Sequence, residues 1–302
     1  MNGSPSPFVA LPELPVEVYR SHWRPACDER SFMLHAVGIA SQVVGADTDW
    51  RLVVSAEEAA AAIRHLRTYD RENPPRRRPP PFEGPQPHAW AGPLVYVAVL
   101  MVVAWLSGQK AWGTNWLAAG ALDTAAFRAG GEVWRAVTAL TLHFDVAHLL
   151  GNLGFGAFFG WLAAQLLGPG VAFGAGTLAA SVANGLNASF QPLEHVSAGA
   201  STAVFAMLGL LAAYAWRRRA DQGDRWAYRW APLIAGVALL GFTGVGGERT
   251  DVLAHLTGFG VGGVAGFLLA LRPRPAGGAI QAIAGVATVA VIAVAWVVAL
   301  SA

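Results

Sequence analysis

The chain has 302 residues, 54% hydrophobic and only 13% charged, with a mean hydropathy of +0.42; this excludes a soluble enzyme of ordinary composition and requires several membrane spans. The net charge of +2 comes almost wholly from arginine, with Lys110 the one lysine. Those arginines flank apolar runs instead of forming a basic face, which excludes nucleic acid as a partner, and the single cysteine, Cys27, excludes an intrachain disulfide and a cysteine metal site.

Residues 1–72 read as a small α+β module. Alternation predicts strands at 16–21, 39–44 and 50–55, and helical periodicity predicts helices at 28–38 and 56–72. Ser55 and Glu58 have the capping-box spacing at the start of the second helix. About 70 residues bury only a marginal core, so the module is expected to be a tethered accessory. His22, His35 and His65 are dispersed and lack metal-ligand spacing. The first apolar run of bilayer length begins after residue 90, so no cleavable signal is expected. Residues 73–90, dense in proline and carrying Arg76, Arg77 and Arg78, read as a stiff linker.

Seven apolar segments follow, at about 92–108, 146–167, 170–189, 199–216, 231–246, 251–271 and 278–300. Most approach the ~20 residues that cross a bilayer, and the fifth is short. An N-terminus in the cytoplasm puts Arg76–Arg78, Arg217–Arg219, Arg225, Arg229, Arg272 and Arg274 on that side. Only Lys110, Arg128, Arg135 and Arg249 then lie outside, as the positive-inside rule requires. The outside loop 109–145 carries Trp112, Trp116, Phe127, Trp134 and Phe144, and so aromatic a loop is expected to lie in the interfacial zone. The expected fold is an all-α polytopic membrane protein with a small cytoplasmic α+β domain (1–72), a linker (73–90), a membrane domain (91–271) and a seventh span (272–302).

In this topology the second, fourth and sixth segments all enter from the outside. His148 and Asn152 on the second, Ser201 on the fourth and His255 on the sixth then fall in one layer near that face, with His148 and Asn152 on one helical side. Each has a structural reading: Ser201 bonding back to its own helix, His148 and Asn152 joining helices near the headgroups, His255 paired inside the bundle. Together at one depth they point to nucleophilic catalysis. Ser201 would be the nucleophile and His255 the base, with His148, Asn152 and the Ser201 amide as oxyanion donors. Gly258 and Gly262 make one small-residue face, and Gly199, Ala200 and Ala203 another, allowing the two helices to approach closely. Asp251, one turn before His255, is either a third triad member or, with Thr250, a helix cap; capping is the preferred reading. Asn184 and Asn187 either line the wet layer or join helices. His195 and Glu194 are expected to be solvated, and His143 to support the loop.

Over roughly residues 90–271 these pieces resemble the rhomboid intramembrane serine proteases. The matching residues are Glu132, Trp134 and Arg135 in a Glu-x-Trp-Arg motif, His143, His148 and Asn152 in 143–152, Ser201 in 199–209, and His255 with Gly258 in 254–258. The resemblance implies a Ser201/His255 dyad, an oxyanion hole from His148, Asn152 and the Ser201 amide, and a structural role for the loop motif. It also implies membrane-spanning substrates cut near the outer face, a mobile fifth span, a bacterial inner-membrane location, and six core helices plus one. Thr202 and Phe205 depart from the residues common in the family, glycine and tyrosine. No metal, nucleotide or other cofactor is required, the lipid bilayer is the other partner, and nothing sets an oligomeric state. The alternative is an inactive relative that binds and escorts spans. A transporter would need internal repeats with helices broken at mid-bilayer, and no repeat is seen.

Overall fold

The computed structural model describes residues 15–73, 84–221, 226–243, 251–274 and 277–302. Arg76–Arg78, Arg225, Arg249, Thr250 and the end of the fifth apolar segment lie outside the described residues. The chain divides into two compact units, residues 1–78 and 79–302.

In the first unit, strands β1 (Pro15–Ser21), β2 (Ser41–Ala46) and β3 (Asp49–Ser55) form an antiparallel sheet in the order β1-β3-β2. Val54 pairs with Val16 on one side and Ser41 on the other. Helices α1 (Arg24–Ala36) and α2 (Ala59–Glu72) complete a core of Leu34, Ile39, Leu52, Val54, Ala62 and Leu66. Helix α1 starts earlier than the periodicity predicts because Pro25 is favoured in a first helical turn. Helix α2 starts later: the Ser55 hydroxyl accepts the Glu58 amide at 3.3 Å, but it closes a turn over 56–58 before the helix proper.

The second unit is helical. Its long helices are α3 (Ala91–Gly108), α7 (Val146–Leu167), α8 (Pro169–Phe190), α9 (Ser201–Asp221), α10 (Trp226–Thr243), α11 (Val252–Ala270) and α12 (Gly278–Ser301). By length and composition α3, α7, α11 and α12 are long and apolar enough to cross a membrane. Helix α12 buries Ala295, Trp296 and Ala299 but exposes Ile283, Val286, Val294 and Val297, a surface that is favourable only against hydrocarbon. Between α3 and α7 the chain folds into α4 (Trp116–Gly120), β4 (Leu122–Asp123), α5 (Thr124–Arg128) and α6 (Arg135–Thr138). Strand β4 pairs antiparallel with β5 (Val196–Ser197), in the connector ahead of α9. Residues 84–90, read from sequence as the end of the linker, pack on this unit. The Gln86 amide donates to the Gln165 carbonyl and Ala89 joins the main apolar core.

Helices α9 and α11 are the most extensively packed pair. A Cβ on Gly258, Gly262 or Gly266 would lie 2.6, 2.0 or 2.2 Å from the carbonyl oxygens of Thr202, Ala206 and Leu210. Three glycines four apart therefore meet three carbonyls four apart, so the helices run in the same direction with their backbones touching. Gly209 meets the Phe259 carbonyl in the same way from the α9 side. The sequence reading found Gly258 and Gly262 and missed Gly266, which continues the same spacing, and Gly209 on the opposite helix.

Candidate active site

The loop between α3 and α7 is built around Arg135, which is buried. Its Nε donates to Glu132 Oε2 at 2.7 Å, and its Nη1 donates to the carbonyls of Ala118 and Ala121 at 2.9 and 2.7 Å. One guanidinium thus satisfies the last carbonyls of α4 while paired to a carboxylate, and so closes the loop. Trp134 packs in a cluster with Trp116 and Trp296 of α12, and the Trp116 and Trp296 rings lie 4.5 Å apart. Trp116 is only 3% exposed, so it is a core residue and not, as its loop position suggests, an interfacial one; Trp112, 74% exposed, keeps an open position. Trp296 Nε1 donates to Thr141 Oγ1 at 3.0 Å.

That loop hands the chain to α7, whose cap Asp145 accepts the His148 amide at 2.8 Å. One turn further on, Asn152 is buried, and its Nδ2 has no hydrogen-bond partner. Its carbonyl accepts the Tyr96 hydroxyl at 2.8 Å. His143 Nε2 accepts the Ala200 amide at 3.4 Å, and its ring meets the edge of the His148 ring with centroids 5.2 Å apart. Burial, followed by the neighbouring His148, lowers the His143 pKa from 6.5 to about 4. Accepting at Nε2 puts the proton of the neutral ring on Nδ1.

Ser201 opens α9, so its amide is one of the N–H groups a helix leaves unsatisfied. The connector ahead of it is held at several points. The Thr124 amide donates to the His195 carbonyl at 3.0 Å, β5 pairs with β4, and the Gly199 amide donates to the Ala139 carbonyl at 2.9 Å. Gly199 belongs to this connector and not to the helix-packing face assigned from sequence. Its φ is +153°, and a Cβ there would lie 2.6 and 2.8 Å from His148 Cε1 and Nε2 and 3.6 Å from Ser201 Oγ. Its small size therefore serves the approach of the imidazole to the serine.

His255 lies on α11, 7% exposed, with its ring 4.3 Å from that of Phe205. The phenylalanine that replaces the expected tyrosine thus still packs on the imidazole. Thr202 is buried, its methyl carbon facing Gly258. Asp251 caps α11, with Oδ1 accepting the Ala254 amide at 3.0 Å. The same carboxylate accepts from Gln191 at 3.2 Å, Asn187 Nδ2 at 2.7 Å and His195 Nε2 at 2.9 Å. Of the two readings of Asp251, capping is the one its oxygens serve. His195 is held in this cluster with its side chain 24% exposed and is not solvated as expected; Glu194 is exposed. Asn187 is fully buried in the cluster, whereas Asn184 donates to the Ala136 carbonyl at 2.9 Å.

Ser201, His255, His148 and Asn152 line a single cavity of about 1380 Å³, shared with Phe155, Phe205, Leu239 and Asp251. The volume admits many water molecules. Polar groups from α7, α9 and α11 meet here, while Glu132, Trp134 and Arg135 do not line the cavity and serve the loop's own structure. Among the described residues no group of three metal-ligating side chains occurs.

Residues 130–272 match the family model described as the Rhomboid domain. The chain is also similar to RHOMBOID-like protein 1 of Arabidopsis thaliana, at 29% identity over 157 residues. That match covers 51% of this chain and 39% of the relative, so the chain spans about two fifths of the relative's length.

Proposed function

We propose that this chain, which belongs to the rhomboid family and is a multi-pass membrane protein, is a serine endopeptidase that cuts the membrane-spanning helices of other proteins. In this reading His255 takes the proton of Ser201 Oγ as that oxygen bonds to a peptide carbonyl carbon, and the displaced carbonyl electron pair resides on the former carbonyl oxygen. The oxyanion accepts from Asn152 Nδ2, the His148 ring and the Ser201 amide. Collapse breaks the C–N bond, His255 protonates the leaving amine, and the acyl group stays on Ser201. Water then attacks the ester, giving one proton to His255, and the acid departs as that proton returns to Ser201.

The observation that carries the reading is Asn152 Nδ2, a buried donor without a partner on the wall it shares with Ser201 and His255. A buried amide left unpaired costs free energy. An oxyanion that forms only during reaction supplies the missing acceptor, so the interaction is reserved for the transition state. A helical substrate hides its carbonyls in internal hydrogen bonds and must unwind first, which favours spans with glycine or other small residues near the cut. In this reading the arginine asymmetry of the sequence favours a cytoplasmic N-terminus, with cleavage near the outer face of the membrane.

The test is cleavage of a tagged single-span substrate by the full chain in lipid vesicles. Wild type cuts it, and cuts glycine-containing spans faster than polyleucine ones; Ser201→Ala does not cut. Asn152→Ala lowers kcat by about 10²–10³ with its thermal midpoint retained, because no hydrogen bond is lost. A wild-type protein that binds the span and leaves it whole is an escort factor, and the peptidase reading falls.

A further inference from the structure

The cluster around Asp251 joins the two chain segments that carry the proposed reacting pair. Asp251 lies four residues before His255, and the Asp251 carbonyl accepts the His255 amide at 3.2 Å. His195 lies six residues before Ser201, on the connector held by Thr124, β4 and Ala139. A single bond, His195 Nε2–H to Asp251 Oδ2 at 2.9 Å, closes the frame between them. Asn187 and Gln191 brace the carboxylate from the end of α8. The Asp251 side chain is 13% exposed, and both residues lie on the wall of the cavity. A helix cap needs one acceptor oxygen. Three further donors from two other elements exceed that need and fix where α11 begins relative to α9.

We propose that His195 is a positioning residue for the Ser201–His255 pair: through Asp251 it sets the start of α11, and so where the His255 ring stands against the serine. The proposal rests on the peptidase reading above. His195 touches no reacting atom, and its effect falls on the geometry of proton transfer, to which rates are steeply sensitive. Substrate binding, governed by the rest of the cavity wall, is left unchanged.

The test uses the purified full chain in vesicles, with cleavage kinetics, the rate of Ser201 labelling by a fluorophosphonate and the thermal midpoint measured together. His195→Ala is expected to lower kcat about 10- to 10²-fold with KM unchanged, and to slow labelling in proportion. His195→Gln, which retains a donor, recovers most of the loss. Asp251→Asn keeps an oxygen for the Ala254 amide but turns an NH2 group toward other donors, so it lowers kcat while preserving the cap. The His195→Ala/Asp251→Asn double variant is no slower than the slower single one. The proposal is overturned by an unchanged kcat in His195→Ala, by losses that multiply in the double variant, or by a defect that appears only in KM. If His195→Ala does not fold, His195→Gln and Asp251→Asn decide: near-wild-type turnover in both overturns it, and loss confined to Asp251→Asn sustains it. A wild-type chain that neither cleaves nor labels overturns the peptidase reading and this one together, whereas an active wild type with indifferent variants overturns this one alone.

Discussion

The side chains around the cavity are arranged less for mutual stability than for what they leave free. Asn152 keeps an unpaired donor and Ser201 stands in the first turn of α9, while Asp251, one turn from His255, has its oxygens fully occupied. His143 is the residue whose protonation the fold resists most clearly. Its folded pKa of about 4 lies below the ordinary 6.5, so the unfolded chain binds more protons between those values. Stability is therefore full above pH 6.5 and declines as pH falls toward 4. Asp251 is separable from this effect. Burial, the largest influence, pushes its pKa up, but the Ala254 amide, Asn187 and His195 outweigh it and hold the carboxyl below its ordinary value. Thermal midpoints measured from pH 7 to pH 4 should fall steadily in wild type, and His143→Gln should flatten that slope; an equal slope in the variant would assign the acid sensitivity elsewhere.

Helix α9 carries Ser201, the proposed nucleophile, and α11 carries His255, and what joins the two helices is the absence of side chains at Gly258, Gly262 and Gly266. Backbone faces backbone, so a methyl group has no flexible side chain to displace. Gly262→Ala would put a carbon 2.0 Å from the Ala206 carbonyl oxygen and force the helices apart. We expect a loss of about 1–3 kcal/mol of stability together with loss of cleavage, read by thermal unfolding and by the substrate assay. Ala163, buried at the α7 core, is already accommodated with a methyl, so the contrast belongs to the site and not to the residue type. Helix α10 packs along α9 and only sparsely against α11, leaving Leu239 on the cavity wall and Phe242 exposed.

The last helix, α12, carries none of the motif residues, yet it reaches the site through two contacts. Trp296 packs at a tilt against Trp116 and donates to Thr141 Oγ1, and the adjoining turn holds the Gly199 amide through the Ala139 carbonyl. Trp296→Ala should cost about 3–5 kcal/mol and should slow Ser201 labelling at temperatures where the protein remains folded; an unaffected labelling rate would confine α12 to stability. The first unit has its own apolar core of Leu34, Leu52, Val54 and Leu66, separate from the cores of the helical unit.

The long helices, the sheet of the first unit and the polar layer of Ser201, His255, His148 and Asn152 were readable from pattern and spacing. The bounds of α1 and α2 and the short elements α4, α5, α6, β4 and β5 were not, and the loop motif of Glu132, Trp134 and Arg135 was recognised only through the family resemblance. Helix period, hydrophobic length and charge asymmetry are local properties of a chain in a bilayer. Pattern alone also singled out the polar residues that had no place in an apolar run without a partner. It did not show who the partners were. Gly199 looked like helix packing until its positive φ and the nearness of His148 placed it in the connector. His195 looked like a loop histidine until Asp251, 56 residues away, took its proton donor. Trp116 and Trp296, far apart in the chain, became one tilted ring pair. Hydrogen-bond saturation, backbone contact and the burial of Asn152 Nδ2 without a partner are relations between distant segments, and only the packed bundle creates them.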